Sequence, residues 1–180
     1  MGKLSPATRR RMEEKERCGR TITSNILNDR FKTNKTDINI VGTGFFDGCD
    51  LIVTCSGKKK VQRNAMEVKM RNKTDKQLQE YPCCELKEEK YNKMVAFAKD
   101  KGVDNLLYTV LLNEKEYYIF NLSKIDMSKC NKVMWENIKY VQEEDSEDDR
   151  RNYMIYQIPP SLSCYSGTCE NYFEEYKSKK

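Results

Sequence analysis

Histidine is missing altogether from the 180 residues of this chain. Its absence excludes Ser-His-Asp and Cys-His catalysis, histidine-ligated zinc enzymes and the usual imidazole general base. Chemistry must then rest on carboxylates, lysine, cysteine, tyrosine or a bound metal. Long apolar runs are missing as well. Met1 to Arg20 is rich in Lys, Arg and Glu and lacks the apolar stretch of a signal peptide. The expectation is an intracellular protein, cytoplasmic or inside a host cell, neither secreted nor associated with a membrane. On that footing the eight cysteines read as reduced thiols. Cys83-Cys84 and Cys164-x4-Cys169 lack the C-x2-C spacing of structural zinc sites. The Asn-x-Ser/Thr triplets at Asn34, Asn72 and Asn121 then carry no meaning as glycosylation acceptors.

What is present points to a folded, basic protein. Hydrophobic residues make up 38% and charged residues 34%, with eleven tyrosines and six phenylalanines, which is too aromatic for a disordered chain. The length suits one domain. The net charge is +5, but residues 143–149 hold six acids and no base, so the remainder stands at +11. Such an excess draws a protein towards polyanions through counterion release. A solvated, lysine-rich surface gives the same composition without any such partner. Arg9, Arg10, Arg11 and Arg20 could grip phosphates, although Glu13, Glu14 and Glu16 among them favour an ordinary charged helix.

Periodicity sets the order of elements. Thr8 to Phe31 reads as a helix, with Met12, Ile22, Ile26 and Leu27 partly at i, i+4 spacing. A short strand follows over Asp37 to Val41, closed by Gly42-Thr43-Gly44. Cys49 to Cys55 is β-branched and apolar and reads as a buried strand. Lys58-Lys59-Lys60 makes a turn, and Val61 to Met70 returns as a strand that sets Ala65, Glu67 and Lys69 on one face. Asn72 to Pro82 reads as loop or a short helical turn, and Glu85 to Lys101 as a helix stopped by Gly102. Asn105 to Leu112 and Glu116 to Leu122 form a hairpin about Asn113 to Lys115. Later signals are weaker: Val133 to Val141 is a strand or short helix, residues 143–149 an acidic loop, and Tyr153 to Ile158 a last strand. The tail from Ser161 stays unassigned.

One constellation on these elements carries chemistry. Phosphodiester hydrolysis needs an activated water and relief of charge on the phosphate oxygens, and a divalent metal held by carboxylates supplies both. Antiparallel pairing through the Lys58 turn brings Asp50 and Glu67 within one metal's reach. Lys69 shares their face, where it can orient or deprotonate the water. The expectation includes that this face is not the one packed by helices, and Glu67 and Lys69 on a helix-packed face would count against hydrolysis here. Asp47 is an alternative ligand, but it lies among turn residues.

Asp50-Leu51-Ile52-Val53 followed by Glu67-Val68-Lys69 resembles the split D…E-x-K motif of the PD-(D/E)XK nucleases, although Cys49 stands where the family name expects proline. The resemblance spans about residues 8–122. It implies an α/β restriction endonuclease-like core, a central mixed β-sheet flanked by helices in αβββαβ order, within one nuclease-like domain that 123–180 extends. It also implies that Asp50 and Glu67 ligate magnesium, with manganese able to substitute and the Val68 backbone carbonyl nearby, and that Lys69 handles the water. Glu16 is the candidate for an auxiliary acid on the first helix. Gln77 opens Gln77-Leu78-Gln79-Glu80-Tyr81, which matches the Q-x-x-x-Y element of the RecB-like branch but runs into Pro82. Lys90 and Lys93 could approach a phosphate, or simply be solvated.

The function so implied is a magnesium-dependent nuclease, a hydrolase acting on DNA in preference to RNA. The alternatives are a non-catalytic nucleic-acid-binding protein with a nuclease-like fold, and an interaction protein that works through its acidic loop. A homodimer is expected if the substrate is duplex, with Trp135, Tyr153, Tyr156 and Tyr165 as interface candidates or as parts of the monomer's own core.

Overall fold

The computed structural model describes residues 5–32, 36–44, 48–57, 60–80, 84–136 and 152–180. Asp47, Tyr81, Pro82, Cys83, the Lys58-Lys59 turn, the Trp135 side chain and the acidic run at 143–149 therefore lie outside what can be described.

The first helix, α1 (Pro6–Lys32), begins earlier than its periodicity suggests. Ser5 caps it by accepting the Thr8 N–H on Oγ at 3.2 Å, and Pro6 takes the first position, where its missing N–H costs nothing. Strands β1 (Asp37–Gly42), β2 (Leu51–Ser56) and β3 (Val61–Arg71) form an antiparallel meander. The short α2 (Asp75–Glu80) follows, then β4 (Cys84–Lys87), α3 (Glu88–Lys101), β5 (Asn105–Leu112) and β6 (Glu116–Asn121). Asn113 and Glu114 take left-handed backbone (φ 53° and 58°) in the three-residue turn of the β5–β6 hairpin, a backbone twist that suits the twist of the flanking strands. Beyond it come β7 (Asn131–Glu136), β8 (Asn152–Ile158), β9 (Tyr165–Thr168) and α4 (Glu170–Ser178).

The class is α/β, with a central mixed sheet flanked by helices in the expected αβββαβ order. The sheet runs β1-β2-β3-β5-β6-β9, and β3 pairs with β5 in parallel while the other pairs are antiparallel. A smaller antiparallel sheet, β4-β8-β7, lies apart from it. One face of the central sheet presents Leu51, Val53, Met66, Val68 and Ile119 to Ile22 and Ile26 of α1 and Phe173 of α4. The other presents Ala65, Tyr108, Val110 and Phe120 to Met94 of α3, Leu86 of β4 and Ile158 of β8.

Both faces are thus packed, and the expectation of a helix-free face for Glu67 is overturned. The physical reason is that β5 and β6 continue the apolar surface of Ala65, and burying it requires α3. The tail is structured too. β9 pairs with β6 at the edge of the central sheet, and α4 packs on α1. Among the described residues no helix is long and apolar enough to cross a membrane.

Candidate active site

The register of the β2–β3 ladder positions the acids. The ladder ends with Leu51 opposite Met66, and Asp50 stands immediately before that last pair. The Asp50 backbone N–H donates to the Met66 carbonyl at 2.9 Å, and its Oδ2 accepts the Val68 N–H at 2.7 Å. That second bond fixes the carboxylate against the strand that carries Glu67.

Glu67 is wholly buried, with Lys69 Nζ 2.7 Å from Oε1 and Lys90 Nζ 2.8 Å from Oε2. Both contacts are ion pairs at hydrogen-bonding distance, so each carboxylate oxygen already faces an ammonium group. Burial pushes the Glu67 carboxyl above the ordinary carboxylate range, and the nearby Asp50 charge adds to the shift while Lys69 and Lys90 oppose it. The Lys69 side chain is 39% exposed, so this end of the face reaches solvent although α3 covers the rest.

Helix α1 closes the cluster from the other side. Arg20 pairs with Glu16 and lies 3.3 Å from Asp50 Oδ1, and it donates to the Thr43 carbonyl at 2.9 Å. Glu16 adjoins Asp50 as well. Its carboxyl is raised by burial and by Asp50, against the pull of Arg20 and Lys69. Three carboxylates and three cations therefore meet here: Glu16, Asp50 and Glu67 against Arg20, Lys69 and Lys90.

Among the described residues no three acid or thiol side chains gather at ion-binding spacing. Cys49 fills the face beside Glu67 as a small apolar group, because burial pushes its thiol up to about 12.

The remaining candidates divide. Glu16 joins the site as expected. Gln77 is engaged elsewhere: its Oε1 accepts the Thr74 N–H at 3.0 Å while Thr74 Oγ1 accepts the Gln77 N–H at 3.3 Å, a capping box at the start of α2. Lys93 pairs with Glu89 on the surface, whereas Lys90 turns inward.

Sequence reading missed Lys15, Arg71 and Lys87, which rim the site. Burial lowers the basicity of Lys15 and Lys87, and the charges of Arg71 and Lys69 lower both further. A run of like charge at alternating positions on β3, Lys69 and Arg71, was the available signal. Of the interface candidates, Tyr153 lies under Lys87 at 3.7 Å, Tyr156 packs edge-on to Tyr91 at 5.6 Å, and Arg30 covers Tyr165 at 4.1 Å.

The loop before Asp50 is held tight by helix α3. A Cβ on Gly48 would lie 2.4 Å from Phe97 Cβ and 2.9 Å from the Lys93 carbonyl oxygen. Gly48→Ala is therefore expected to force α3 off the site at a cost of about 1–3 kcal/mol. Thermal unfolding checks this: a variant that melts with the wild type would mean the loop shifts freely.

No protein-family model matches the chain, and no curated protein matches it. Among solved structures it is similar to Hjc, a Holliday junction resolvase from the archaeal hyperthermophile Archaeoglobus fulgidus. The identity is 17%, the match covers 83% of this chain and 97% of that chain, and the TM-score is 0.41. A likeness of that size is too loose to decide a function.

Proposed function

We propose that the chain is a divalent-metal-dependent nuclease that hydrolyses phosphodiester bonds in DNA through Asp50, Glu67 and Lys69. One observation carries the reading. The Asp50 carboxylate is locked by the Val68 N–H at 2.7 Å, beside the wholly buried Glu67, whose Oε1 lies 2.7 Å from the Lys69 ammonium group. Structural ion pairs seldom bury a carboxylate completely, because desolvation offsets the Coulomb gain. Acids whose ionisation is shifted by burial and by a neighbouring charge are more common where chemistry is done.

The donor set fits magnesium, a hard cation that takes carboxylate and carbonyl oxygens, and manganese suits the same donors. Asp50, Glu67 and the Val68 carbonyl would hold it. When bound, the ion supplies a water of lowered pKa and relief of phosphate charge. Lys69 would orient the attacking water and take or return its proton, the Val68 N–H keeps Asp50 aligned, and Glu16 would assist from α1. Arg71 repels both Lys15 and Lys87, and a polyanion across them would relieve that repulsion, which supports nucleic acid as the substrate. Duplex DNA would call for a homodimer, since one such site cuts one strand at a time.

A second reading is a nucleic-acid-binding protein that does not cut. One observation favours it: both Glu67 oxygens already face ammonium groups, so the ion cluster is neutral as it stands. The experiment is incubation of the purified chain with supercoiled plasmid, linear duplex, single-stranded DNA and RNA, in magnesium, manganese or EDTA. DNA cutting in either metal and none in EDTA is expected. Retained DNA binding with no cutting in any metal would transfer the assignment to the second reading. Light scattering on the same samples reports the oligomeric state.

A further inference from the structure

A second polar cluster lies on the opposite face of the central sheet, under the end of α1. Asparagine is depleted in strands, yet Asn64 on β3, Asn105 on β5 and Asn121 on β6 form a row across three neighbouring strands. Asn121 Nδ2 donates to Asn105 Oδ1 at 3.3 Å, Asn105 Nδ2 to Asn64 Oδ1 at 2.8 Å, and Asn64 Nδ2 to the Val53 carbonyl at 3.1 Å. Asn64 is only 6% exposed.

The row lines a cavity of about 540 Å³ whose other walls include Leu27, Val53, Ile119 and Phe31, with Lys60 and Lys124 on its margin. Both lysines are exposed, so the cavity reaches the surface there. Among the described residues neither has a carboxylate partner.

Apolar residues would complete this face at lower desolvation cost, so three buried or half-buried carboxamides ask for a reason. Each carboxamide offers two N–H donors and two acceptor lone pairs. The Asn105 bonds to its neighbours use one of each and leave one of each to spare. A ligand that matches the cavity has flat apolar faces for Phe31 and the aliphatic walls, an edge with alternating donors and acceptors, and negative charge for the lysines. Apolar walls with a few convergent polar groups are the usual make-up of a small-molecule site, and the volume falls in the usual range.

We propose that this cavity binds a nucleoside monophosphate, its base edge on the asparagine row and its phosphate at Lys60 and Lys124. Adenine is the best match, because a carboxamide pairs in two places with its N6 and N7. The site is separate from the acid cluster: Asn64 projects to the face that α1 packs, with Met66 and Val68, and Glu67 to the other.

The test is calorimetric titration of the full chain with adenosine monophosphate, adenosine, ribose 5-phosphate and inorganic phosphate. Adenosine monophosphate should bind, and adenosine and ribose 5-phosphate should each bind at least about tenfold more weakly, a difference of one decade in Kd. Asn105→Leu should abolish binding. Lys124→Glu, at the exposed margin where folding is not at stake, should weaken it by a similar decade. Glu67→Gln should leave it untouched whether or not the chain proves to be a nuclease. No heat from adenosine monophosphate at millimolar concentration, or equal affinity in the Lys124→Glu protein, would overturn the proposal.

Discussion

Lys69→Ala should lose about 10²- to 10⁴-fold in single-turnover cleavage while still binding DNA nearly as well, because a positioned proton-transfer group contributes about that much. Binding rests on many phosphate contacts, of which this amine is one, and Lys15, Arg71 and Lys87 keep the rim positive without it. Lys69→Arg separates charge from proton transfer. Guanidinium keeps the positive charge but does not give up its proton. Activity in the Arg variant would mean that Lys69 acts through its field, whereas equal loss in both would assign it the proton. Gel-shift titration beside the cleavage assay is the check, and wild-type cutting by the Ala protein would remove Lys69 from the site.

Glu67→Gln is expected to abolish cutting at least as fully, and to weaken manganese binding by more than the roughly 10- to 100-fold that loss of an outer-shell partner costs. The carboxamide keeps the shape and drops the charge. Folding should survive, because burial already disfavours the charged form of Glu67 and a neutral group costs less to desolvate. Lys69 and Lys90 would lose their common counter-charge, which offsets part of that gain. Manganese titration followed by electron paramagnetic resonance reads the effect without any cleavage. Undiminished ion binding in the variant would place the cation elsewhere.

The β2–β3 pair was legible because alternation along a strand is strict, so Glu67 and Lys69 had to share a face and the turn had to bring Asp50 across. The same rule failed four residues before α3. Cys84-Glu85-Leu86-Lys87 has apolar residues at i and i+2, as a strand requires, but from Glu85 it runs without a break into the helix and reads as part of it. Strand β9, Tyr165-Ser166-Gly167-Thr168, is exposed at every residue, so no alternation marks it. Its pairing comes entirely from the free edge of β6. Helix α4 is announced only by Tyr172, Phe173 and Tyr176, a stripe too short to separate from loop.

Lys90 and Lys93 shared one weak expectation, and they parted only when tertiary packing turned one side chain towards Glu67 and left the other in water. Gln77 shows the reverse. A motif match at the level of residue type met a local need, the cap of α2 that Gln77 forms with Thr74 three residues earlier.

The parallel seam between β3 and β5 also sets an order of assembly. The β1–β2–β3 meander and the β5–β6 hairpin close through short turns, whereas the seam must wait until residues 72–104 have looped over the sheet, and such non-local closure is slow. Asp50 and Glu67 are therefore expected to meet while the chain is still folding, before α3 has delivered Lys90. At that stage a carboxylate destined for complete burial is still hydrated. The late step is its dehydration, which proceeds as the second ammonium group arrives.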